Sequence, residues 1–198
     1  MVSLALHGGR TCLDFVNTVD PREPAGQDFL PDYSAIVAWS RRVRLLETAK
    51  LARIAARAKG SPRDAARAHR RAIELRELLY PVLRAAADGE APPPALAERF
   101  SRTASALERR RRLVWRDGRW RREIMAVNVL DVPADAVFDD ALDLLTTGEH
   151  IGRCAGDRCG WLFLDTSKNR SRRWCSMAGC GNRAKARRHY ERRRGGRR

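Results

Sequence analysis

Four of the chain's five cysteines fall in two matched C-x4-C pairs, Cys154/Cys159 and Cys175/Cys180, with fifteen residues between the pairs. A short loop of this kind brings two thiolates of one turn onto a single metal ion, and two such loops complete a tetrahedron. The spacing therefore predicts one structural zinc ion per chain, held by Cys154, Cys159, Cys175 and Cys180. Four thiolates leave no open position for a catalytic water, so the site is structural. A module of ~45 residues is too small to build a sufficient core unaided, which couples its folding to the metal. A thiol switch, a disulfide pair or another metal are the competing readings, and His150 or His189 could each stand in for one cysteine.

Charge follows the same division. The net charge is +16, but residues 151–198 hold 15 Lys/Arg against 3 Asp/Glu, whereas residues 1–150 hold 25 against 21. Basicity concentrated in the cysteine-containing tail favours a polyanionic partner, and nucleic acid fits better than a membrane because no strongly apolar helix face accompanies the charge. Runs free of Asp, Glu, Lys and Arg reach only residues 1–9 and 174–182. These fall far short of the ~18 residues of a membrane span. The start lacks the basic segment of a secretion signal. The expectation is a cytoplasmic protein, in which paired cysteines serve metal rather than disulfides.

The 150 residues before the cysteines read as mainly helical. The opening stretch places apolar Leu4, Leu6, Cys12, Leu13, Phe15 and Val16 around Gly8-Gly9 without a clear period. Asp32 is a plausible N-cap for helix carrying Ile36, Val37 and Trp39, with apolar signal continuing to Gly60. Ser61-Pro62 starts a long helix that Gly89 ends, with a kink expected at Pro81. After the stiff APPP connector at 91–94, Leu96, Phe100, Ala104 and Leu107 recur at helical spacing towards Arg109–Arg112. Asp117-Gly118 then marks a two-residue hairpin turn that sets Trp115 opposite Trp120, a pair expected in the core. A last helix carries Val137, Ala141, Leu144 and Leu145 and stops at Gly148.

Within the cysteine module, Trp161 and Phe163 share one strand face and Leu162 and Leu164 the other, with Asp165–Asn169 as the turn of a hairpin lying between the cysteine pairs. Ser176 or Asn182 caps a basic helix running to about Arg194. The expected architecture is mainly α (α+β): a helical domain over 1–148 with a small β-hairpin, a ββα-like four-cysteine module over 149–194, and a basic tail at 195–198.

The segment WCSMAGCGNRAKARR at 174–188 resembles the signature of the CGNR zinc-finger family, with Cys180-Gly181-Asn182-Arg183 as its namesake. The segment LDFVNT at 13–18 and the helical region after it resemble the stress-induced transcription-regulator domain that accompanies this finger. The resemblance implies a bacterial transcription factor that is not an enzyme, binding DNA through the finger, with zinc on all four cysteines.

The residues expected to meet nucleic acid are Arg173, Arg183, Lys185, Arg187, Arg188 and Arg192. DNA is the expected partner, with RNA as the alternative. His7, Asp14 and Asn17 mark a candidate pocket for a small-molecule effector, and the N-terminal domain is expected to sense a signal or to mediate self-association, as in a homodimer. Four histidines without a relating motif, and the absence of a Walker or Rossmann loop, argue against catalysis.

Overall fold

The computed structural model describes residues 5–22 and 25–195. Leu4 and residues 196–198 of the expected basic tail lie outside the described residues. The helices are α1 (Thr11–Val16), α2 (Tyr33–Arg42), α3 (Thr48–Gly60), α4 (Pro62–Asp88), α5 (Pro94–Glu108), α6 (Val132–Thr147) and α7 (Asn182–Gly195). Three antiparallel two-stranded ribbons accompany them: β1 (Val19–Asp20) with β2 (Gln27–Asp28), β3 (Arg111–Arg116) with β4 (Arg119–Ile124), and β5 (Ile151–Arg153) with β6 (Leu162–Leu164). This is the mostly helical protein with small ribbons that the apolar periodicities imply.

Local chemistry accounts for the element ends. The Asp32 carboxylate accepts the Ala35 amide at 2.9 Å and starts α2. The apolar signal to Gly60 is split into α2 and α3, with Arg44 between them in the left-handed region. α4 runs 27 residues through Pro81 and ends where Gly89 turns left-handed. α5 stops at Glu108, so the arginine run expected at its end leads into β3 instead. Asp117 and Gly118, both at positive φ, make the tight turn that puts Trp115 opposite Trp120.

The main core gathers Leu13, Phe15 and Val16 of α1 with Ile36 and Trp39 of α2, Ile54 of α3, Leu79 and Leu83 of α4, and Val137, Phe138 and Leu144 of α6. It does not stop at Gly148. Ile151 of β5 and Leu162 of β6 belong to the same cluster, while Phe163 and Trp161 pack with the cysteines. β6 is thus a partition: its alternating side chains enter two cores, as the period-two pattern at 161–164 demands. Its hydrogen-bonding partner is β5, across the first cysteine loop, and residues 165–174 form a loop rather than the second strand expected there.

Polar contacts bind the helical part to β6. Asn17 is only 1 % exposed. Its amide donates to the Leu162 carbonyl at 2.8 Å and accepts the Leu162 amide at 2.9 Å. Gly9 at φ +78 turns the chain against Leu164, and the neighbouring Gly8 carbonyl accepts the Leu164 amide at 2.7 Å. Arg76, 2 % exposed, pairs with Asp28 and Glu77 and donates to Thr18 Oγ1 at 3.0 Å. Arg22 reaches Glu77 from above the Tyr80 ring, and its amide donates to the Cys159 carbonyl at 2.9 Å.

Replacing Asn17 by Ala leaves the Leu162 amide and carbonyl without partners inside the protein. The expected cost is on the order of 3 kcal/mol, read as a lowered denaturant midpoint with an unchanged slope. A chain ending at Gly148 loses Ile151 and Leu162 from the main core and leaves Asn17 unpaired, and is expected to melt well below the full-length protein in calorimetry.

Candidate metal centre

The first cysteine loop is set by the chain on both sides. The Cys154 amide donates to the Trp161 carbonyl at 2.8 Å and the Cys159 amide to the Gly156 carbonyl at 3.0 Å. Gly156 is required by close approach, because a Cβ there would lie 2.9 Å from Cys180 Sγ. Behind the loop, Tyr80 Oη donates to the Gly160 carbonyl at 2.9 Å and Trp161 Nε1 to the Val19 carbonyl at 2.9 Å. α4 and the segment after α1 therefore form its backing.

The second loop is closed by Arg172. Its guanidinium donates to the carbonyls of Trp174 at 3.0 Å, Leu164 at 3.2 Å, Cys175 at 2.6 Å and His7 at 3.3 Å, and it covers the Phe163 ring at 4.2 Å. Ser176, rather than Asn182, is the cap: its Oγ accepts the Gly179 amide at 3.2 Å and opens a wide turn over Met177–Gly181. α7 begins directly after that turn.

The four cysteine sulfurs, all buried, lie within 4.8 Å of one another. Cys159 and Cys175 Sγ are 3.8 Å apart and Cys175 and Cys180 Sγ 3.7 Å, far beyond a disulfide. A tetrahedron built on Zn–S bonds of about 2.3 Å has edges of about 3.8 Å, so the donor set fits that ion in type and in size. Amides of Gly156 and Cys175 donate to Cys154 Sγ at 3.4 and 3.3 Å, and Arg183 donates to Cys180 Sγ at 3.0 Å. Such donors favour thiolates and orient them.

The electrostatics of the four sulfurs point the same way. Hydrogen bonds from the Cys159 and Cys175 thiols lower the pKa of Cys154. The same contacts to Cys154 push Cys159 and Cys175 up. A divalent cation would take all four sulfurs as thiolates. Cys12 is separate: it is buried beside Asp140, with its thiol pKa raised by that burial. Neither His150 nor His189 joins the sulfur cluster.

The basic residues of the module have different surroundings. Arg183 is turned towards Cys180, whose charge raises the guanidinium pKa. Arg187 pairs with Asp157 at 3.2 Å, Arg188 Nε reaches the Ala184 carbonyl at 3.5 Å, and Arg173 lies over the Trp174 ring at 5.5 Å. Lys185 and Arg192 make no ion pair among the described residues, and from Asn182 to Arg193 only Ala184 is buried. His7 borders a cavity of ≈ 250 Å³ with Asp20, Trp161, Ser176 and Arg183 beside the cysteines. Asp14 and Asn17 do not line it: Asp14 accepts the Gly8 amide at 2.8 Å, and Asn17 is committed to Leu162.

Sequence reasoning passed over Arg172, which 36 arginines conceal, and the structural task of Asn17. A signal for the latter was available, since Asn17 is a lone amide directly after Phe15-Val16, at the end of a stretch rich in apolar residues.

A helical domain whose core is closed by a four-cysteine ββα module defines a two-part metal-finger protein. Residues 9–148 match the family model described as a putative stress-induced transcription regulator, and residues 150–193 match the CGNR zinc finger. The chain belongs to the family of stress-induced transcription regulators so described, with the finger following. A search of curated proteins finds no match to it.

Purified protein is expected to carry about one zinc per chain by elemental analysis, most of which Cys175→Ser removes. Cys12→Ser, remote from the cluster, should leave the metal content unchanged.

Proposed function

We propose that the protein is a DNA-binding transcription regulator in which a zinc ion on Cys154, Cys159, Cys175 and Cys180 fixes α7 as the DNA-contacting helix. The observation that carries this reading is α7 itself. It springs from the second cysteine loop, bears seven Lys/Arg and one Glu over 182–195, and keeps only Ala184 buried through Arg193. A helix polar all round has little tertiary reason to exist as an isolated projection, and a polyanion supplies one. The ion's role is structural: bound, it satisfies the four thiolates and ties the two loops together.

The residues divide by what already holds them. Lys185, Arg187, Arg188 and Arg192 are the contacts to phosphates or base edges; Arg173 stands at the rim, and Arg183 serves the sulfur cluster first. Family membership supports a regulator, and no helix among the described residues is long and apolar enough to cross a membrane. The helical domain positions the finger through β6 and Asn17, so that a change in its core is felt at the metal loops.

Binding of the zinc-loaded protein to duplex DNA, measured against salt, tests this. Arg188→Ala should weaken binding to all sequences alike and lower the log-affinity versus log-salt slope by about one. Changing Lys185, Arg187, Arg188 and Arg192 together to Ala should abolish the salt-dependent binding; unchanged affinity and slope at full zinc content would remove α7 from the role. Preference for single-stranded RNA over duplex DNA in competition would favour an RNA-binding protein instead.

A further inference from the structure

Apart from α7, the β3–β4 ribbon carries charge and aromatic surface that neither the core nor the metal centre uses. Residues 109–122 carry eight Arg and one Asp. The inner end is anchored. Arg110 pairs with Asp135 at 2.7 Å, Arg111 pairs with Glu108 and Asp139, and Ile124 packs against the main core. Further out, Arg116 pairs with Glu123 and Arg121 with Asp117. Arg109, Arg112, Arg119 and Arg122 make no ion pair among the described residues.

Directly opposed residues share a face, which groups Leu113, Trp115, Trp120 and Arg122. Beyond the anchored end this face covers nothing. Leu113 is 65 % exposed, Trp115 58 % and Trp120 66 %, although the two indoles meet edge-on at 5.4 Å. The tryptophans pair as the turn requires but are not core residues, because no element among the described residues lies over them.

We propose that this ribbon is a second nucleic-acid site, which stacks unpaired bases of single-stranded DNA on Trp115 and Trp120 and holds a phosphate with Arg122 on the same face, while Arg112 and Arg119 on the opposite face add to the local positive field. Charge selects the class of partner. The acids of α6 nearest the ribbon are taken by Arg110 and Arg111, and a second copy of a chain at +16 would bring the same cationic ribbon. Aromatic exposure selects the strand state, since a duplex hides base faces and offers only edges and phosphates, whereas unpaired bases stack on indoles. The choice of DNA over RNA rests on the reading of α7 above; the stacking site does not.

The test uses the full-length, zinc-loaded protein and fluorescence anisotropy of labelled oligothymidylate of about twelve nucleotides. Trp115→Ala with Trp120→Ala should lower that affinity roughly tenfold or more, while Trp115→Phe with Trp120→Phe keeps most of it. Duplex affinity should change little. In the background of Lys185, Arg187, Arg188 and Arg192 all changed to Ala, the loss caused by the tryptophan substitutions should persist, which separates this site from α7. Equal oligothymidylate affinity in the wild type and the double Ala variant would overturn the proposal. So would tighter tryptophan-dependent binding of oligouridylate, which makes the ribbon an RNA site. A wild-type dimer that the double Ala variant turns into a monomer, with unchanged DNA binding, would make the face a self-association surface and overturn it as well.

Discussion

β6 has no face left for water, and the rest of the molecule is arranged around that constraint. Leu162 must enter the helical core and Phe163 the sulfur cluster, so the strand can sit only where both exist. The amide and carbonyl of Leu162, its first residue, would then be stranded between two apolar regions, and the Asn17 side chain meets both. An amide serves this purpose because it donates and accepts through adjacent atoms, as a backbone neighbour would. A buried polar group at the end of an apolar helix is costly alone and stabilising only with this partner. The motif around Asn17 and the cysteine module are therefore halves of one interaction.

The arginines sort the remaining surface. Arg10 meets Asp140, Asp143 and Glu149, while Arg22 and Arg76 share Glu77 beneath the first cysteine loop. These guanidiniums are spent on tying distant segments, since a planar fork with several donors can bridge carboxylates and carbonyls at once. Arg172 does this with carbonyls alone. Cations without such ties line α7 and the β3–β4 ribbon, and Lys50, Arg53 and Lys59 of α3 with Arg63 and Arg70 of α4 are exposed as well.

What could be read from the chain was what short range determines. The cysteine pairs announce their own geometry, because two ligands in one turn need no knowledge of the fold. Asp117-Gly118 fixed the Trp115–Trp120 register for the same reason, and the apolar period located the helices. Burial of those tryptophans was misjudged, since whether anything covers a face is decided by elements far away in sequence. The partner of β6 was likewise missed: alternation at 161–164 defines two faces but not whether the pairing strand comes before or after. Arg172 and Arg183 carry tasks that composition cannot distinguish from the solvated arginines around them.

The junction between the second cysteine loop and α7 has a consequence of a different kind. From Lys185 to Arg193 the helix is exposed, so its direction and rotation are inherited from the turn at Met177–Gly181 and from Ala184. One residue added or removed at that junction rotates everything beyond it by about 100° and slides it by about 1.5 Å, with composition and charge unaltered. The sulfur cluster therefore acts as the origin of an angular scale along α7. What it fixes is phase: which side of the helix any given side chain presents to whatever lies alongside.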